Sequence, residues 1–332
     1  MKKFFAILLA MLLVLSMGAF ALAEETEAST TTVATLGKVV VISGDAAVMP
    51  AETFGFSIAN DSVSDAAEGV TADTMPTPKL GTAQFNAGAT NGTEVEILIN
   101  FPTYKSVGIY TYKITEIAGN TAGMTYSAAT LTLKVTVQND GKGGFEIAGT
   151  SLEGSDDKKH DTFENKYEAG KLTVSKTVTG ALGDKTKLFD FSVTFTAPEG
   201  KTAKSTISYV DGTDEKTLTF GEDGTASATF KLKDAASITF TNIPAGVTYT
   251  VTEVGAVVKD DELMNGDYKV TMTGENGTIA GDATSTAAFT NTKGGTIDTG
   301  ITTDTLPYAV LLGLVVLAGV ALLLKRRMGT ND

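Results

Sequence analysis

Three residue types that can together make a covalent bond recur in one order along this chain. Lys38, Glu116 and Asn165 form the first set, and Lys176, Glu253 and Asn291 the second. The Lys-to-Glu spacings nearly match, 38 to 116 and 176 to 253. Each Glu closes a Tyr-x-x-Thr-Glu segment, Tyr112 to Glu116 and Tyr249 to Glu253; each Asn ends a Phe-x-Asn segment, Phe163-Glu164-Asn165 and Phe289-Thr290-Asn291. Side chains alternate along a strand, so each Tyr shares a face with the Glu four residues on. If that face is the core, desolvation keeps the carboxyl protonated and strips the proton from a buried lysine. A neutral amine, a carboxamide and a proton-relaying carboxyl are then nucleophile, electrophile and shuttle in one dry site. The product would be a Lys–Asn isopeptide bond, with loss of ammonia. Singly, each residue has an ordinary reading: Lys at a strand edge, Asn at a strand end and Glu facing water, since ionisable groups are rarely buried unless paired. The recurrence of all three, twice, favours the joint one.

Such sets need rigid elements, and period-two alternation supplies them. Lys38–Ile42, Thr53–Ile58, Glu94–Ile99, Gly108–Ile117 and Leu131–Val137 alternate and are bounded by turn residues such as Asn139-Asp140-Gly141. A similar series runs from Lys171 to Asn291. Helical periodicity is nearly absent, so the fold class expected is all-β, two tandem sandwiches of one plan. The predicted first domain spans 38–168 and the second 170–293, with a short linker at Tyr167–Gly170. Because the first and last strands carry the bonding partners, each bond would clamp its domain from end to end, the role disulfides usually play in exported proteins.

Composition narrows the chemistry further. The chain has 332 residues, a net charge of -13, one His and no Cys. Thiolate nucleophiles, disulfides and thiolate or paired-His metal sites are excluded or disfavoured, and no cofactor is expected. His160 is read as solvent-exposed. Asp156-Asp157 and Asp260-Asp261 are read as exposed turns, since adjacent carboxylates on a strand point apart. The acidic stretch from Glu24 to Thr299 argues against nucleic acid as a partner.

The two ends place the chain. Residues 1–23 read as a secretory signal helix, with Lys2 and Lys3, an apolar run and a small-residue end at Ala23. Residues 24–37 read as a flexible lead-in. Near the other end, Leu306–Leu324 is an apolar run of about 28 Å as a helix, long enough for a transmembrane span, followed by Lys325, Arg326 and Arg327 on the cytoplasmic side. The chain is thus expected outside the cell, with a membrane-held precursor.

The chain resembles the Gram-positive backbone pilins and their isopeptide-forming surface relatives, including Cna B-like domains. The segments that carry the resemblance are Lys38, Pro50–Phe56, Gly108–Glu116 and Phe163–Asn165, then Lys171–Gly180, Phe189–Phe191, Val247–Glu253 and Phe289–Asn291. It implies two immunoglobulin-like domains, Lys38 and Lys176 as nucleophiles, Glu116 and Glu253 as proton shuttles, and Asn165 and Asn291 as acceptors. It also implies that residues 294–332 form a sorting tail. Thr296-Ile297-Asp298-Thr299-Gly300 stands where a sortase would cut, between Thr299 and Gly300, with Asp298 near the place of the family's proline. A variant sortase or a plain single-span membrane anchor would each account for this tail. Lys158, in the polar loop before Asn165, lies where the family carries its inter-subunit acceptor lysine; the alternative is a solvated loop. Implied partners are sortase, neighbouring pilin subunits or peptidoglycan, and a host or matrix ligand. A monomeric wall- or membrane-anchored adhesin is the competing function, resting on architecture alone, and enzymatic turnover is not expected beyond self-catalysed bond formation.

Overall fold

The computed structural model describes residues 33–155 and 158–295. The expected signal peptide, the sorting segment with Thr299 and Gly300, the apolar span 306–324 and Asp156-Asp157 lie outside the described residues.

The described chain is all strand and turn. Its first part contains β1 (Val33–Ser43), β2 (Glu52–Ser64), β3 (Lys79–Leu80), β4 (Ala83–Phe85), β5 (Glu94–Asn100), β6 (Gly108–Ile117), β7 (Met124–Thr125), β8 (Thr130–Asn139) and β9 (Phe145–Glu153). A long strand, β10 (Thr162–Thr179), follows. Then come β11 (Phe189–Thr196), β12 (Ile207–Asp211), β13 (Asp214–Leu218), β14 (Thr225–Leu232), β15 (Ser237–Pro244), β16 (Thr248–Glu253), β17 (Val257–Lys259), β18 (Glu262–Asn265), β19 (Tyr268–Thr273), β20 (Asn276–Thr278) and β21 (Thr284–Thr292).

These strands form two sandwiches. In the first, a sheet ordered β7-β10-β1-β5-β3 faces one ordered β4-β2-β6-β8-β9. In the second, β13-β12-β15-β10-β21-β19-β18-β17 faces β14-β11-β16-β20. Strict alternation directs the inner faces: in β6, Tyr110, Tyr112, Ile114 and Glu116 point inward, and in β16, Tyr249, Val251 and Glu253 do so. Separate apolar cores result, one around Leu36, Phe54, Tyr112 and Phe163, the other around Phe191, Phe195, Phe240 and Phe289.

In both sandwiches the strand bearing Lys lies beside, and parallel to, the strand bearing Asn. β1 pairs in parallel with the first part of β10, and the second part of β10 pairs in parallel with β21. Strands that are remote in sequence thus become neighbours, as Greek-key connections allow.

Two expectations about boundaries are corrected. The stretch Tyr167–Gly170 is not a linker: β10 runs through it without a break. Its inward positions change from odd-numbered residues up to Ala169 to even-numbered ones from Gly170, and its pairing with β15 shifts between Gly170 and Leu172. A bulge that rephases the strand, rather than a loop, lets it serve two cores. Gly170 is required there, because a Cβ would lie 2.3 Å from the Ala280 carbonyl oxygen. The flexible lead-in also ends earlier than expected: Val33–Gly37 already belong to β1, where they pair with β5 and bury Leu36. The Thr and Glu content masked a short alternating run that gains a partner strand only in the fold.

The sandwiches also touch directly. The Val48 N–H donates to Asn242 Oδ1 at 2.8 Å, Lys204 pairs with Glu52 at 2.9 Å, and Thr121 bridges Thr202.

Candidate functional site

The register of the parallel strands places each lysine two residues short of its asparagine. Lys38 is level with Phe163, so Asn165 lies one inward step further along β10; Lys176 is level with Phe289, so Asn291 lies one inward step further along β21. Both partners therefore point into the core from adjacent strands of one sheet. The glutamate reaches in from the facing sheet, Glu116 from β6 and Glu253 from β16.

In the first site Lys38 Nζ lies 3.0 Å from Glu116 Oε2, and Asn165 Nδ2 donates to Glu116 Oε1 at 2.5 Å. Lys38 is 0% exposed and Asn165 1%. Lys38 Nζ also lies 3.3 Å from the Phe163 carbonyl oxygen and 4.7 Å from the centre of the Phe54 ring. Burial drives the Lys38 pKa down to about 8, against the opposing pull of Glu116. A tenth of the amine is then neutral about one pH unit below that value. The Asn165 carbonyl oxygen accepts from the Ser127 backbone N–H at 2.7 Å.

The second site repeats this core and differs at its rim. Lys176 Nζ donates to Glu253 Oε2 at 2.8 Å, and Asn291 Nδ2 donates to Glu253 Oε1 at 2.6 Å. Asn265 Nδ2 donates to the same Oε1 at 2.7 Å. The Asn291 carbonyl oxygen is buried and has no hydrogen-bond partner among the described residues. Phe189 and Phe191 cover Lys176 at 4.4 and 5.8 Å, and burial lowers its pKa, with Glu253 opposing.

In each site one carboxyl group spans two nitrogen atoms, the lysine amine and the asparagine amide. That is the placement needed to carry a proton from an entering nitrogen to a leaving one.

Residues 34–168 match the family described as the Spy0128-like isopeptide containing domain, and residues 170–293 match a domain of unknown function, DUF7601. The "Pilin" of Streptococcus pyogenes serotype M1 is 28% identical over 310 residues, 85% of this chain and 86% of that protein. This chain resembles the Gram-positive backbone pilins. A crystal structure of the major pilin from Streptococcus pyogenes, 24% identical, has the same fold with a TM-score of 0.56, over 80% of this chain and 100% of that one. The pilus tip adhesin Cpa of Streptococcus pyogenes is 38% identical over 141 residues, which is 40% of this chain but 18% of the adhesin.

All six residues singled out in the sequence meet in two buried clusters. Lys158 stands apart, exposed in a short hairpin extension beyond β9, where the Gly154 N–H donates to the Lys158 carbonyl oxygen and Lys159 bridges Glu153. His160 is exposed, as are Asp260 and Asp261 in the left-handed turn joining β17 to β18. Sequence reasoning missed Ser127 and Asn265. Ser127 acts through its backbone, which no side-chain pattern reveals. Asn265 precedes Gly266 in a segment that reads as a turn, and only the β18–β19 pairing brings it to Glu253.

Proposed function

We propose that this chain is a structural subunit of a surface pilus, shaft or stalk, whose two sandwiches each close a Lys–Asn isopeptide bond without an enzyme. The observation that carries this reading is the bridging carboxyl: Glu116 and Glu253 each contact a buried lysine amine and a buried asparagine amide nitrogen. The neutral Nζ of Lys38 attacks Cγ of Asn165, and the C=O electron pair moves onto Oδ1. Glu116 accepts a proton from Nζ and delivers one to Nδ2, which departs as ammonia while the C=O bond re-forms. Lys176, Glu253 and Asn291 do the same in the second sandwich. Burial favours the forward step twice, by raising the neutral fraction of the amine and by excluding the water that would compete for the acyl carbon.

Export by the N-terminal signal, transient retention by the apolar span and transfer by sortase at Thr299–Gly300 would then join the Thr299 carbonyl to an amine. That amine would be Lys158 of a neighbouring subunit or an amine of peptidoglycan. The resemblance at these positions and the exposure of Lys158 support this route.

The mass of the purified chain tests the bonds. A deficit of two ammonias, one restored by Glu116→Ala and the other by Glu253→Ala, is expected; an undiminished mass would overturn the bond chemistry. In cells, SDS-resistant ladders that vanish in Thr299→Ala and Lys158→Ala strains are expected. Intact bonds without ladders would leave a monomeric anchored adhesin as the function.

A further inference from the structure

We infer that the backbone N–H of Ser127 is the oxyanion donor of the first site. The inference rests on the isopeptide reading and adds to it a group outside the Lys–Glu–Asn set. When Nζ adds to Asn165 Cγ, negative charge collects on Oδ1. The Ser127 N–H already donates to that oxygen at 2.7 Å, within the range of about 2.7–3.1 Å at which such donors act. Asn165 is buried and Ser127 half-buried, so this dipole acts at an effective dielectric below that of water and needs no reorganisation as charge develops.

The donor is held in place by the fold. Ser127 lies in the turn between β7 and β8, and β7 pairs Met124 and Thr125 with Tyr167 and Lys166, the residues of β10 that directly follow Asn165. Donor and acceptor are thus stitched to the same stretch of strand. The turn is closed further by the Thr121 N–H donating to the Tyr126 hydroxyl at 3.2 Å and the Ala129 N–H donating to Ser127 Oγ at 3.3 Å. The same contact orients the amide. An N–H facing Oδ1 obliges Nδ2 to face Glu116, which places the leaving nitrogen on the shuttle. In the second site no described group donates to the Asn291 carbonyl oxygen, so the molecule carries its own control.

The test follows both cross-links in one chain. The full-length protein is made by cell-free translation, sampled over time and digested, and the Lys38–Asn165 and Lys176–Asn291 linked peptides are quantified by mass spectrometry. Three variants are compared: Ser127→Ala, which keeps the N–H; Ser127→Pro, which lacks it; and replacement of residue 127 by an α-hydroxy acid, which exchanges only the N–H for an ester oxygen. Loss of one oxyanion donor is expected to slow the first cross-link by about 10²–10³-fold in the ester and proline variants. Ser127→Ala, which loses the Oγ contact with the Ala129 N–H but keeps the donor, should slow the first cross-link far less than the ester, and the second cross-link should keep its rate in every variant. The ester guards against a proline that fails to fold. A first cross-link that forms at the native rate in the ester chain overturns the inference alone. A native chain with no Lys38–Asn165 peptide overturns the isopeptide reading beneath it.

Discussion

The two buried sites share their reacting atoms and differ in what supports them. In the first, a backbone N–H rests on the acceptor's carbonyl oxygen, and among the described residues Glu116 holds Lys38 and Asn165 alone. In the second, the acceptor's oxygen has no partner among the described residues, while the shuttle carboxylate takes an extra amide from Asn265. One site steadies the group on which charge develops; the other steadies the group that moves protons. The same parallel-strand register and facing glutamate therefore constrain the reacting trio tightly and leave its surroundings free to vary.

The largest expected break in this parallel comes from the glutamates. Glu116→Ala should abolish the first bond and leave the second intact, and Glu253→Ala should do the converse, since proton transfer of this kind contributes about 10²–10⁴-fold. Peptide mapping after overnight incubation reads both; loss of both bonds from either substitution would mean that the sites are coupled through β10. Next in size is stability. Each bond ties the first strand of a sandwich to its last, a loop long enough that a cross-link constrains the unfolded chain by about 4–5 kcal/mol. Asn165→Ala and Asn291→Ala should each lose about that much in denaturant unfolding. A much smaller loss in one would show that its sandwich retains equivalent stability through packing alone.

How much of this was legible in the sequence follows from the kind of interaction. Lys38, Glu116, Asn165 and their second-site counterparts could be found because they are side chains on strongly alternating strands, where position fixes the face. The continuity of β10 could not, because Tyr167–Gly170 carries a glycine and a polar residue that read as a break. Only the partner strands, β1 and β7 before the bulge, β15 across it and β21 after it, keep the strand extended. The start of β1 was hidden for the same reason: the pairing of Val33 with Asn100 is a long-range fact. Ser127 and Asn265 lie in or beside turns whose aim is set by pairings that no local pattern encodes.

The pH dependence sharpens the comparison further. The nucleophile must be neutral, and burial lowers both lysine pKa values, that of Lys38 to about 8. The rate of the first bond should rise nearly tenfold per unit as pH increases toward 8 and then level off, as stopped time courses in buffers on either side would show. In an unbonded Asn165→Ala chain the same shift sets the sign for stability. Between about 8 and the ordinary lysine value of 10.5 the unfolded state binds more protons than the folded one, so stability should increase with pH across that window. A flat profile would mean that Lys38 remains charged where it lies.

The smallest expected effect concerns Asn265. Its amide donates to the oxygen of Glu253 that also faces Asn291 Nδ2, so it fixes the carboxyl without touching the reacting carbon. Asn265→Ala should slow the second bond by about tenfold, the worth of one hydrogen bond, about 1.4 kcal/mol. It should leave the first bond unchanged. Asn265→Gln, if its longer amide still reaches Oε1, should restore part of the rate. An unaltered rate in the alanine variant would show that Glu253 is held sufficiently by Lys176 and Asn291, and that the two sites differ at one rim only.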